Sequence, residues 1–398
     1  MSEIDRLLAE HCPDGVPVMT LGEIGTFVRG KRFTKADYVT EGIPAIHYGE
    51  IYTAYGTATD TVISHLRPDM KTSLRFAAPG DVVLVDVGET VEDVGKAVAW
   101  LGDEPVAVHD HCYVYRHEMN PSFVSYYMQT RRFHAEKAKH VARTKVKTLL
   151  MDGLAKVSIP VPPPEVQSEI VRILDKMTEL QAELQAELQA ELQARTRQYE
   201  HYRDQLLRFA EGEEVRWATL SELATVRTGQ APRDVLASPV EGSKFPFVNA
   251  GTTASGWALE ANTQADTVTI PSRGQGGVGV VGYQTNNFWC GPLCYRIRSV
   301  DASIVTTKYL YYFLKSIQPS IRSLQQTGGT PALNRKELIT VDVALPSRGE
   351  QDRIVAILDR FDALANDLTL GLSVEIEARR KQYEYYRDKL LTFKGRVA

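Results

Sequence analysis

The chain has 398 residues, well beyond the size at which a single hydrophobic core stops growing, so two or more domains are expected. Its 43% hydrophobic and 24% charged residues exclude disordered, collagen-like and disulfide-framework classes. With 46 basic against 50 acidic residues and a net charge of -4, overall charge excludes a protein that grips nucleic acid by bulk attraction, and any such site must be a local patch or one completed by a partner.

Residues 1–11 form the tail of a helical unit, as the repeat below makes plain. They contain acidic residues and only short apolar runs, and no stretch of 18 apolar residues occurs in the chain. Neither a signal peptide nor a membrane span is expected, and the cytoplasm is the expected compartment. Residues 12–163 form a first globule, closed by alternating residues 156–161 that predict a strand and by the proline run 160–164 that stops it. Residues 164–211 predict one long helix. A second globule follows over 212–346, closed by a strand over 340–345, and a second long helix spans 347–398. Four scattered cysteines, Cys12, Cys112, Cys290 and Cys294, predict reduced thiols.

The long helices rest on an internal repeat. QYEHYRDQLLRF at 198–209 and QYEYYRDKLLTF at 382–393 are identical at nine of twelve positions, at an offset of 184. Upstream, Gln167, Ile170, Val171, Ile173, Leu174 and Asp175 face Gln351, Ile354, Val355, Ile357, Leu358 and Asp359 without a gap. Apolar residues spaced by three and four continue as Met177, Leu180, Leu184, Leu188 and Leu192 against Phe361, Leu364, Leu368, Leu372 and Ile376. Two helices of about 40 residues, each about 60 Å long, cover their matching stripes most simply by packing on each other. A second offset of 199 relates Asp5, Leu7 and Leu8 to Asp204, Leu206 and Leu207, and Thr20, Leu21 and Glu23 to Thr219, Leu220 and Glu222. The layout is therefore circularly permuted: helix tail, globule, helix, globule, helix. The offsets differ by 15, so the first globule carries about that many extra residues. Residues 179–194 spell ELQA four times. Taken alone this is a solvated amphipathic helix; placed mid-helix between two globules, it is a spacer that grows by about 6 Å per unit.

QSEIVRILDKMTEL at 167–180, QYEHYRDQLL at 198–207 and QYEYYRDKLL at 382–391 resemble the two helical regions of Type I restriction-modification specificity subunits. The tetrapeptide tandem is similar to the repeat found there in one branch of that family. Thr20-Leu21-Gly22-Glu23-Ile24 and Thr219-Leu220-Ser221-Glu222-Leu223 resemble openings of its target-recognition domains. The resemblance covers the whole chain, strongly in the helices and weakly in the globules. It implies an α+β fold with pseudo-two-fold symmetry: two target-recognition domains separated by an antiparallel coiled coil, each reading one half of an interrupted sequence in double-stranded DNA. It further implies two methyltransferase subunits docked on the helices and globules, with Tyr199, Tyr202, Arg203, Tyr383, Tyr386 and Arg387 of the repeated motif as contacts, and two motor-nuclease subunits joining the complex. S-adenosylmethionine, ATP and magnesium then belong to those partners, with no cofactor on this chain.

The residues themselves hold no recognisable active site. An adenine methyltransferase would carry an NPPY-type tetrapeptide, which is absent. The glycine-rich run 274–279 lacks a strand-then-helix context, and Gly95-Lys96 is followed by Ala97 where a phosphate-binding loop needs Ser or Thr. His109 and His111 are expected on one face of a strand, a geometry that could ligate a metal, but no second ligand pair lies nearby in sequence, so no metal is expected. Cys290 and Cys294 are spaced wrongly for a zinc knuckle.

Base edges are read by Arg, Lys, Asn and Gln, and phosphates by basic and hydroxyl groups. In the first globule Arg29, Lys31, Arg32 and Lys35 share one glycine-containing loop, followed by His47 and Tyr48. Residues 131–147 add seven Lys or Arg against one Glu, with Arg143, Lys145 and Lys147 as phosphate contacts, although a solvated helix explains any single one. In the second globule Arg227, Gln230 and Arg233 occupy the matching loop, and Asn249, Thr252, Arg273, Gln275 and Thr327 lie in further polar loops that turn formation alone would also explain. The competing reading is a coiled-coil adaptor whose globules bind proteins rather than DNA. An enzyme with an unrecognised active site ranks last.

Overall fold

The structure, a computed structural model, describes residues 3–142, 145–209, 215–237, 245–326 and 329–395. The chain divides into two compact units, one of residues 1–186 with 374–398 and the other of residues 187–373. Each unit holds a globule, one half of the long helix Pro164–Leu206 and one half of the long helix Arg348–Leu390.

Both helices have 43 residues, about 64 Å at 1.5 Å per residue. The first begins with proline, whose fixed φ and missing N–H suit the first turn. In front of the second, the Ser347 hydroxyl accepts the Glu350 N–H at 3.3 Å as an N-terminal cap. Within the first unit Ile170 and Leu174 share a buried cluster with Leu391, and Thr178 Oγ1 lies 3.0 Å from the Tyr383 hydroxyl. Within the second unit Tyr202 stacks on Phe361 at 6.1 Å, one turn along from where Tyr199 meets Asp362. In both units the helix halves therefore run antiparallel. Leu184, Leu188 and Leu192 of the ELQA tandem are half-buried, and the first helix passes from one unit to the other at Ala186 and Glu187, inside the tandem.

Each globule is tied to its helices by the same groups. Gln167 and Gln351, both buried, donate to the carbonyls of Pro162 and Pro346 at 2.7 and 3.1 Å. Tyr126 donates to Asp175 at 2.7 Å, and Tyr312 to Asp359 at 2.5 Å. The strands predicted to close the globules are present, Val18–Thr20 pairing antiparallel with Ser158–Pro160 and Arg216–Thr219 with Asp342–Leu345.

In the first unit, Gly25–Arg29, Cys112–His117, Val82–Val85, Ala97–Trp100 and Ala58–Thr59 form one sheet in that order. A second contains Tyr38–Val39, Ser64–Leu66, Ile43–Ile46, Val106–Val108 and Phe76–Ala77. The second unit repeats this on a smaller scale. Ala224–Thr228, Cys294–Ser299, Thr267–Pro271 and Gly282–Gln284 make one sheet, and Trp257–Ala258, Phe245–Val248 and Trp289–Cys290 the other. Parallel pairing of Ile43–Ile46 with Val106–Val108, and of Phe245–Val248 with Trp289–Cys290, brings segments distant in sequence side by side in each globule.

Candidate nucleic-acid interface

In each unit a glycine-containing loop chosen from sequence is held beside these strands by one hydrogen-bond frame, built twice. In the first unit Gly30 N–H donates to Cys112 O at 3.0 Å and Lys31 N–H to Val108 O at 2.9 Å. In the second, Gly229 N–H donates to Cys294 O at 3.3 Å and Gln230 N–H to Cys290 O at 3.0 Å. His109 N–H reaches Ile46 O at 3.2 Å, and Gly291 N–H reaches Val248 O at 2.8 Å. The turn 109–112 thus matches 291–294, His47 matches Asn249, and Lys31 matches Gln230. Strand register places Arg29 opposite Tyr113 and Thr228 opposite Tyr295, so Thr228 rather than Arg227 occupies the place of Arg29.

Around the first turn, the His47 ring lies 4.4 Å from both Tyr48 and His109, and Tyr48 lies 5.4 Å from His111. Burial pushes His47 and His109 below the ordinary imidazole range, and like charge lowers them further, from His111 at His47 and from His47 and His111 at His109. Both rings are therefore neutral near pH 7, presenting a donor or acceptor rather than a charge. Arg29 is paired with Asp86 at 2.8 Å. Lys31, Arg32, Lys35 and Lys145 are exposed, and Lys147 begins the strand Lys147–Leu149 that pairs with Val87–Gly88 beside Asp86. Arg143 lies outside the described residues.

Around the second turn, Asn249 Oδ1 accepts Leu293 N–H at 2.9 Å, so this amide shapes the turn. Gln230 carries its side chain outward while its carbonyl accepts the Trp289 indole at 2.7 Å. Arg273 and Gln275 are exposed on a loop seated against Ala250, where a Cβ on Gly277 would come within 2.3 Å of Ala250 O. Arg227, Arg233 and Thr252 are exposed, and Thr327 lies outside the described residues.

Two expectations are corrected. His109 and His111 do not share a strand face; they flank a turn, with His111 N–H bonded to His109 Nδ1 at 3.2 Å, because the strand begins only at Cys112. Among the described residues no group of three or more ligating side chains is placed to hold a metal. Nor is 131–147 one basic helix: Arg131–Lys137 ends in a turn, and Lys137 is fully buried, donating to the carbonyls of Glu92 and Val94.

Of the six residues expected to face a partner, Arg203 and Arg387 are buried and paired with Asp204 and Asp388 at 2.7 and 2.8 Å. Burial holds the Tyr199 and Tyr383 phenols above their ordinary pKa, aided at Tyr199 by Asp362. Tyr202 and Tyr386, equivalent in the repeat, are 43% and 42% exposed and remain open to contact. Sequence reasoning did not point to Asp86, which meets Arg29 only once residues 57 positions apart are brought together.

The family described as "Type I restriction modification DNA specificity domain" matches residues 13–194 and again 213–378. The specificity subunit of the Escherichia coli Type I restriction enzyme EcoR124I/EcoR124II is 34% identical over 264 residues, covering 59% of this chain and 63% of that protein, less than two thirds of its length. A Haemophilus influenzae protein assigned as a type I restriction enzyme specificity subunit, S.HindORF215P, is 33% identical over 337 residues, covering 80% of this chain and 84% of its own length. A chain from a structural study of complex assembly and conformational transition in the type I R-M system has the same fold, with a TM-score of 0.71, 18% identity and coverage of 95% and 97%. No described helix is long and apolar enough to cross a membrane.

Proposed function

The chain belongs to the Type I restriction-modification DNA specificity family, and from that premise we propose that it reads a two-part DNA sequence, one half with each globule. One observation supports this most: a single main-chain frame occurs in both units, and its loop tips carry different side chains, Lys31, His47 and His111 in one and Gln230, Asn249 and Leu293 in the other. A shared frame with unlike tips suits two readers of unlike half-sites. Exposed Arg32, Lys35 and Lys145 in the first unit, and Arg227, Arg233 and Arg273 in the second, supply phosphate contacts. The ELQA tandem sets the unspecified gap.

The chain acts in the cytoplasm as the non-catalytic member of an assembly with two methyltransferase and two motor-nuclease subunits, which bind S-adenosylmethionine, ATP and magnesium. Tyr202 and Tyr386 offer the methyltransferases two equivalent contacts. With a net charge of -4, the chain alone binds DNA weakly and with strong salt dependence, and the methyltransferase completes the grip. The test is competition binding of the full chain with its methyltransferase across a panel of duplexes. Preference for an interrupted sequence is expected. Equal affinity for all duplexes, with partner binding intact, would instead favour the adaptor reading.

A further inference from the structure

Behind the loop tip of the first unit three elements meet, and the same three main-chain positions recur in the second with different chemistry. Asp86 N–H donates to His111 O at 3.1 Å, and Ser272 N–H to Leu293 O at 2.8 Å. The carbonyls of Asp86 and Ser272 accept from Leu149 and Leu333 at 2.9 and 2.8 Å. Arg29, Asp86 and His111 therefore stand where the second unit has Thr228, Ser272 and Leu293. The backbone is kept while a charged set is exchanged for a neutral one.

The Asp86 side chain is 1% exposed, yet it lies beside the loop expected to meet a polyanion. Its Oδ2 accepts from Arg29 Nη2 at 2.8 Å, and Oδ1 is 3.4 Å from His111 Nδ1. Arg29 Nε donates to Asp110 O at 2.9 Å, and the guanidinium lies 5.8 Å from the Tyr113 ring. A guanidinium has five N–H donors in a rigid fork. Two are used, while Nη1 has no hydrogen-bond partner among the described residues and the side chain is 49% exposed. The free edge of the fork is therefore fixed before any ligand arrives, which removes much of the ordering cost of binding. Because Asp86 neutralises Arg29, the pair is a poor phosphate contact. It keeps the geometry for the bidentate hydrogen bonds that an arginine makes to guanine O6 and N7 in the major groove.

We propose that Asp86 is the specificity-determining positioning residue of the first globule, holding Arg29 so that it reads one guanine of its half-site. This rests on the DNA-reading function above. The test uses the full chain with its methyltransferase and duplexes in which each base pair of the wild-type target is varied. Asp86→Asn and Arg29→Lys are each expected to lower discrimination at one G·C pair of one half-site roughly tenfold. The other half-site should stay unchanged, the slope of affinity against salt should stay unchanged in Arg29→Lys, which conserves both charges, and the double variant should be no worse than either single one. Arg29→Lys leaves the buried carboxylate in place, so it decides the matter even if Asp86→Asn fails to fold. Unchanged discrimination, a uniform loss across the half-site, or a salt slope lowered by about one contact would overturn the assignment to Asp86 and Arg29. A wild type without any sequence preference would instead refute the DNA-reading function itself, and this proposal with it.

Discussion

Gly30 and Gly229 seat the two matching loops by lacking a side chain. A Cβ at Gly30 would come within 2.1 Å of His109 O, and one at Gly229 within 1.9 Å of Cys290 O. Both obstacles are main chain and cannot swing aside. Gly229→Ala should therefore displace Gln230 and its neighbours while the buried core around Ile270, Ile297 and Leu310 persists. The expected result is loss of preference in one half-site only, read by duplex competition, with a cooperative melt retained; preference unchanged in both halves would refute this seating role. Titration gives a second prediction at this scale. Burial depresses His117 and His134 to about 4 from the ordinary 6.5, and both lie in the first unit. Since the folded pKa is lowered, the unfolded chain takes up protons between pH 6.5 and 4 that the folded chain refuses, so this contribution is present above pH 6.5 and is lost as pH falls toward 4. Hydrogen exchange at pH 7 and pH 5 should show protection falling in the first unit more than in the second; equal losses would contradict it. The loops themselves were legible because glycine between basic or amide residues marks a turn. Lys31 and Gln230, picked from separate stretches, occupy one structural position, as do His47 and Asn249. Asp86 was not legible, because nothing along the chain links it to Arg29.

At the scale of elements, the repeated helices carry the clearest signal, since their stripes had to match over many turns. Leu174 and Leu358, equivalent in the repeat, are both fully buried where globule meets helix. Replacing either with Ala should cost about 2–5 kcal/mol, measured by denaturant unfolding. A loss below about 1 kcal/mol would mean the joint relaxes around the gap. Deleting one ELQA unit removes about 6 Å of helix. The expected outcome is a shorter unspecified gap with both half-sequences kept, read by mapping methylated sites; altered half-sequences would refute the spacer role. The sheets were harder to foresee. Their strands are two to six residues long, and the pairings that matter most, such as Ala45 with Ala107 and Phe247 with Trp289, join segments about 40 to 60 residues apart in parallel. Periodicity within a short strand does not reveal its partner. Residues 131–147 were hard to place for a related reason: their excess of cations pointed to phosphate contact, or for any single residue to a solvated helix, whereas Lys137 is turned inward to satisfy carbonyls of a distant loop.

For the whole molecule, the circular order of the repeat explains why the first unit is completed by a segment from the other end of the chain, whereas the second is one continuous span, residues 187–373. Residues 374–398 return to the first unit, where Leu391 packs with Ile170 and Leu174 and Val16 N–H reaches Lys394 O at 2.9 Å. On the proposed function, two frames alike in backbone and unlike at their tips give one chain two readers. The most direct test is to map methylated DNA in cells producing the full chain with its methyltransferase, alongside Lys31→Ala and Gln230→Ala variants. The account predicts two specified blocks separated by a fixed gap, with Lys31→Ala relaxing only one block and Gln230→Ala only the other. A single uninterrupted motif, or both blocks changing together in either variant, would contradict it.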